Sequence, residues 1–257
     1  MKLSVIIPAH NEADSLPEMA GGLIQALTFA IGDYELIVVN DHSHDETERV
    51  LQDLCLKYDK FHYVNNEGPP GFGYAVRAGF DVFNGDCVAI MMADMSDCPE
   101  DLIVFYHTMV TQNIDCIFGS RWSRGGKVQG YPMLKWIANR IFNKFIQVAM
   151  NIRYNDTTNA FKLYKRDVIE GIMPILSPHF NLTIELPLKA IIRGYSYKVV
   201  PNSWKNRKTG VSKLKIKEMG SRYMFILLYC FIEKYFSKGD YRRPNQNRLR
   251  PNTIDKD

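Results

Sequence analysis

The chain has 257 residues, 46% of them apolar and 23% charged, which suits one sizeable soluble α/β domain with a modest appendage. Five scattered cysteines without metal-ligand spacing exclude a disulfide framework and point to a reducing compartment. The net charge of +4 is concentrated late in the chain, where six basic residues and no acid fall between Lys205 and Lys217. This suits phosphate groups or an anionic surface more than nucleic acid, for which no helix-turn-helix, finger or aromatic-interleaved groove is present.

In chain order, Leu3–Ile7 reads as a first strand stopped by Pro8, followed by a turn and a helix reaching about Phe29 that Asp14 or Ser15 caps. Tyr34–Val39 is a second strand, then a polar turn and a helix from Glu46 to about Lys57. Phe61–Val64 is a short third strand, followed by a glycine-bearing loop and a helix through Phe80. Cys87–Met92, an apolar run ending in the acidic turn Asp94 to Glu100, reads as a strand buried on both faces. A helix over Asp101–Thr111 and a strand over Asp115–Gly119 complete a β-α alternation. That alternation predicts a three-layer α/β/α sandwich with a mostly parallel sheet.

The first strand leads into Pro8-Ala9-His10-Asn11-Glu12 instead of a Gly-x-Gly-x-x-Gly turn, so a dinucleotide site is poorly supported. Acids at the carboxyl end of a buried strand face the crevice where open sheets bind ligands, and two of them there suit a hard divalent cation. The plain alternative is a solvated turn with Asp97 capping the next helix.

Pro132–Met150 is helical, apolar on one flank and carrying Lys135, Arg140 and Lys144 on the other. It suits either core packing or a membrane interface. A polar turn from Asp156 runs into a strand, a helix follows over Lys165–Ile172, and Asn181 opens another through Arg193. Within the latter, Glu185 is a lone acid among apolar neighbours, with pairing to a nearby Arg or Lys as its structural alternative. Tyr197–Val200 is a late strand. A helix over Ile216–Phe236 contains a ten-residue apolar run, too short for the roughly 20 residues that cross a bilayer. The chain divides into a catalytic domain over 1–215, an amphipathic helix over 216–237 for membrane or dimer contact, and a basic flexible tail over 238–257.

Several pieces together resemble one family. They are Ile6 to Glu12, Val38 to Thr47, Met92-Ala93-Asp94 with its acidic turn, and Gly119-Ser120-Arg121-Trp122. Asp156–Phe161, Asn181–Pro187 and Arg207 through Lys213 also fit. As an ordered set over residues 3 to 218 they resemble the inverting, nucleotide-sugar-dependent GT-A glycosyltransferases of the dolichol-phosphate mannose synthase-like branch. The resemblance implies a GT-A fold and hexosyl transfer, mannose or glucose, from a GDP- or UDP-sugar to a polyprenyl or dolichyl phosphate. It assigns Pro8, Asn11, Glu12 and Asp41 to the donor nucleoside. It also assigns Asp94, with Ser96 and Asp97, to Mg2+ or Mn2+. Met92 departs from the family's Asp-x-Asp, and a thioether is a poor ligand for a hard cation. Arg121 and Lys135 would grip the acceptor phosphate, and Arg207, Ser212 and Lys213 would close over the donor pyrophosphate. A hydroxyl acceptor would instead need a general base, for which Glu185 and Asp156 are the candidates.

The implied setting is cytoplasmic, peripheral to the cytoplasmic face of a membrane, with a homo-oligomer as a further possibility. The alternatives are a soluble transferase acting on a glycan hydroxyl and a degenerate nucleotide-sugar-binding protein.

Overall fold

The computed structural model describes residues 1–206 and 216–243. Its central sheet has seven strands: β1 (Leu3–Ala9), β2 (Tyr34–Asn40), β3 (Phe61–Asn65), β4 (Cys87–Ile90), β5 (Cys116–Ser120), β7 (Lys162–Lys165) and β8 (Tyr197–Pro201). They run in the order β3-β2-β1-β4-β7-β5-β8, and all pairings are parallel except the two made by β7.

Alternation along β1 divides the core. Leu3, Val5, Ile7 and Ala9 face a cluster built with α1 (Leu16–Ala30), α2 (Thr47–Lys57) and α4 (Pro99–Gln112). Ile6 faces the opposite cluster with α3 (Phe72–Val82), α6 (Arg166–Gly171) and α7 (Leu182–Ile192). Every residue of β1, β2 and β4 is buried, as expected of strands covered on both faces. The three-layer α/β/α sandwich expected from the sequence is therefore the observed fold.

Pro8 does not stop the first strand. Alternate residues of a parallel strand bond to opposite neighbours. Ile6 accepts from Met91 on the β4 side and Ala9 accepts from Asp41 on the β2 side, so Pro8 faces β4. The β4 pairing ends at Ile6↔Ile90, and no ladder bond is asked of the missing Pro8 N–H. Strand β4 likewise ends at Ile90, two residues short of the expected Met92.

A third apolar cluster joins α5 (Met133–Ala149), α7 and α8 (Ile216–Phe236) through Ile146, Ile184, Leu188, Ile226 and Leu227. Arg193 at the end of α7 donates from Nε and Nη2 to the two carboxylate oxygens of Glu233, at 2.8 and 3.1 Å, and so ties α8 to the body. The outer faces of both helices leave Leu134, Ile141, Val148, Phe225 and Leu228 exposed.

Two three-residue strands absent from the sequence reading, β6 (Lys127–Gln129) and β9 (Ser203–Lys205), form a small parallel sheet. Such short elements carry no periodicity to detect. They matter because β9 props the acidic turn: Trp204 bridges Asp97, and the Lys205 N–H donates to the Ser96 carbonyl at 3.0 Å.

Candidate active site

The strand order reverses direction between β1 and β4, and a cleft of about 690 Å³ opens at the carboxyl ends of the strands there. Crossing the sheet from β2 to β5 brings three groups of residues into this cleft in turn.

At the β2 and β1 end, Asp41 is buried, and Gly71 donates its backbone N–H to Asp41 Oδ2 at 2.9 Å. Asn66 Nδ2 donates to Asp41 Oδ1 at 2.8 Å, so the carboxylate anchors the loop facing it. Gly71 adopts a φ of 153°, and a Cβ there would lie 2.5 Å from the Pro178 carbonyl oxygen, so only glycine lets the loop close on the segment that leads into α7. Pro8, Glu12 and Asp41 line the cleft. Asn11 is not among the lining residues. It adopts a left-handed φ of 55° and clamps the neighbouring loop, accepting the His44 N–H at 2.8 Å on its side-chain oxygen.

At the β4 end, Met92, Asp94, Ser96 and Asp97 all line the cleft. Met95, in a left-handed conformation at φ 57°, makes the tight turn, and the Ser96 N–H donates to Asp94 Oδ1 at 3.1 Å. Asp97 does not cap α4, whose N-cap is Cys98; it accepts the Met92 N–H at 3.2 Å instead. Burial first, then the Asp94 charge, push the Asp97 carboxyl up to about 7. Among the described residues no group of three or more His, Cys, Asp or Glu side chains is placed to hold a metal, so a cation here would need ligand oxygens to complete its shell.

The raised Asp97 makes a stability prediction. Below about 4 the carboxyl is protonated folded or unfolded; between there and about 7 only the native state keeps the proton, so its burial costs progressively more as pH rises. Asp97→Asn should therefore raise the melting temperature at pH 8, by an effect on the order of a few kcal/mol, and leave it nearly unchanged at pH 4. Equal shifts at both pH values in metal-free thermal melts would exclude this electrostatic origin.

At the β7 and β5 end, Arg121 forks onto buried Asp156, with Nε to Oδ2 at 2.9 Å and Nη2 to Oδ1 at 2.7 Å. Burial alone would lower the guanidinium, but Asp156 outweighs it and raises Arg121 above its ordinary value. Arg121, Lys135 from the first turn of α5 and Arg222 from α8 line this end with Tyr131, Thr158, Asn159, Thr183 and Trp204. Tyr131 and Trp204 meet edgewise at 5.1 Å.

The structure thus brings Pro8, Glu12, Asp41, Asp94, Ser96, Asp97, Arg121 and Lys135 to one cleft. It does not bring Glu185 there. That side chain is fully buried against Lys189, 2.6 Å away, and accepts the Leu176 and Ser177 N–H groups at 2.8 and 2.7 Å. Arg207, Ser212 and Lys213 lie outside the described residues. Sequence reasoning missed Tyr131, Trp204 and Arg222. Arg222 alone carried a signal, being the cation immediately before the apolar run of α8.

Comparison with known proteins adds a family. Residues 4–173 match the model described as glycosyl transferase family 2. A polyprenol monophosphomannose synthase of Mycolicibacterium smegmatis is 31% identical over 82% of this chain and 80% of its own. A dolichol-phosphate mannosyltransferase of Pyrococcus furiosus is 32% identical over 84% of this chain, which spans only 60% of that protein. Among solved structures, glucosyl-3-phosphoglycerate synthase from Mycobacterium tuberculosis, with Mn2+, UDP-glucose and phosphoglyceric acid, matches with a TM-score of 0.68 at 18% identity, over 90% of this chain and 79% of its own. The same synthase with Mg2+ and UDP matches with a TM-score of 0.66 at 18% identity, over 91% and 79%.

The names of the sequence relatives and of the solved structures divide over the acceptor, so the branch within the family stays open. The polyprenyl-phosphate acceptor at a membrane surface, expected from the sequence, is corrected. Two of the solved neighbours hold phosphoglyceric acid beside UDP or UDP-glucose, and no described helix is long and apolar enough to cross a membrane. By its sequence match and its fold, the chain belongs to glycosyl transferase family 2 and is an inverting GT-A nucleotide-sugar glycosyltransferase.

Proposed function

We propose that this chain transfers a hexose from a UDP-sugar to a hydroxyl of a small water-soluble acceptor bearing a phosphate or carboxylate. The observation that carries this reading is that Lys135, Arg222 and the Asp156-paired Arg121 line the same cleft as Asp41, Asp94 and Asp97. A small anion would be held there by charge, and the polar Thr158, Asn159 and Thr183 suit its hydroxyls.

Each part of the cleft then has a task. Pro8, Glu12 and Asp41 receive the nucleoside, Asp41 chiefly by fixing the Gly71 loop. Asp94, with the Ser96 hydroxyl beside it, would hold Mg2+ or Mn2+. The fit is chemical: the Asp94 carboxylate and the Ser96 hydroxyl are hard oxygen donors in one turn and line the cleft together. Such a cation supplies neutralisation of the departing nucleoside diphosphate.

Inversion at the anomeric carbon needs a base for the acceptor hydroxyl. Asp156 is committed to Arg121, and Glu185 is outside the cleft. Asp97, a buried carboxyl that lines the cleft beside Asp94, is the group we assign to take that proton.

On this reading α8 belongs to the catalytic unit, because Arg222 reaches the cleft. The reading is consistent with a cytoplasmic setting and needs no attachment to a membrane.

The test is a panel of UDP- and GDP-hexoses against phosphoglycerate, a hexose phosphate, a neutral disaccharide and polyprenyl phosphate in detergent. Nucleoside diphosphate release and product mass are followed with Mn2+ and with chelator. Turnover with UDP-hexose and a soluble anionic acceptor, lost with chelator, is expected. Transfer to the neutral disaccharide or the lipid alone overturns the reading.

A further inference from the structure

Lys162 lies on β7, the antiparallel strand wedged between β4 and β5, opposite Ile90 on one side and Phe118 on the other. It is 1% exposed, in a position where its neighbours on the strand, Leu163 and Tyr164, pack into the two apolar cores. An ammonium in such a place is costly unless its donors are used. All three are used, and all on backbone: Nζ donates to the carbonyls of Thr157 and Thr183 at 3.1 Å each, and to that of Asn159. These acceptors belong to two separate segments, the turn entering β7 and the first turn of α7. Thr158, Asn159 and Ala160 from one, and Thr183 from the other, form part of the cleft wall at the β7 and β5 end.

The charges around Lys162 are already engaged. Asp156 pairs with Arg121, and Asp97 accepts from Met92 in the acidic turn. The Tyr154 ring lies 5.7 Å from Nζ. The ammonium therefore acts chiefly as a three-way tie between backbone segments. A methionine would fill the same volume without joining them.

We propose that Lys162 is a positioning residue for the acceptor, pinning the 157–159 turn to the start of α7 so that Thr158, Asn159 and Thr183 keep a fixed spacing in the wall. The kinetic consequence rests on the acceptor binding at that end of the cleft, as proposed above; the tie itself does not.

Two measurements separate these. In wild-type protein labelled with 15N-lysine and held at pH 6, Lys162 Nζ should give a slowly exchanging ammonium resonance, absent in Lys162→Met. Burial draws this group down to about 7, with Asp156 opposing and Arg121 adding to the effect, so pH 6 keeps it charged. Lack of that resonance in the wild type overturns the tie, whatever the acceptor. In Lys162→Met, with whichever hydroxyl acceptor the wild type turns over, the acceptor KM should rise about tenfold or more. The UDP-sugar KM and the acceptor-free hydrolysis of the donor should stay within about twofold. Unchanged acceptor KM, or equal rises for donor and acceptor, overturns the positioning role. Failure of the acceptor reading would show separately, as absent wild-type turnover with soluble anions.

Discussion

Asp94→Asn is expected to lower kcat by about 10²–10³-fold, the scale seen when one preorganised charge-stabilising group is removed. The substitution keeps size and the hydrogen bond from the Ser96 N–H, which an amide oxygen accepts as well as a carboxylate oxygen. What it removes is the charge that would hold a divalent cation against the departing diphosphate. A second consequence follows at Asp97. The Asp94 charge is, after burial, the largest cause of the raised Asp97 carboxyl, so its loss should lower that carboxyl. Steady-state rates over a Mn2+ titration read the first effect, and titration of Asp97 in the metal-free protein reads the second. A variant with wild-type kcat would remove Asp94 from the reaction.

Much of this site was legible along the chain because it sits where buried strands end. Runs such as 36–39 and Cys87–Ile90 have no polar face to orient, and the polar residues that follow them at their carboxyl ends fall at the crevice. Asp94 was found in that way and Asp41 through the resemblance to the family, and the sheet order lines them up across the switch point. Pairings across the fold were not legible. Arg121 and Asp156 stand 35 residues apart, and each was read alone, one as an anion grip and one as a possible base. Only their convergence on adjacent strand ends shows that each satisfies the other. Lys162 was invisible for the same reason: a lysine in a short strand looks like a solvated edge until β4 and β5 close on both sides of it. The β6 and β9 pair escaped because three residues are too few to show a period, although it holds Trp204 against the acidic turn.

Glu185 shows how far an isolated acid can mislead, and it gives the largest stability effect expected here. Its carboxylate is fully buried, contacts Lys189 one helical turn away, and caps the Leu176 and Ser177 N–H groups. Lys189 is equally buried, donates also to the Pro174 carbonyl, and lies 5.0 Å from the Tyr229 ring on α8. Removing the acid alone strands a buried cation and two backbone donors, and breaking such a pair costs about 3–5 kcal/mol. Glu185→Ala should therefore unfold at markedly lower urea concentration with an unchanged slope, while kcat per folded molecule stays near wild type. Glu185→Met combined with Lys189→Met should recover part of the loss, because two apolar side chains of similar length leave no charge to strand. The Leu176 and Ser177 donors remain unmet in the double variant, so recovery is expected to be incomplete. The opposite pattern, wild-type stability with turnover abolished in Glu185→Ala, would return this residue to the reaction as its base.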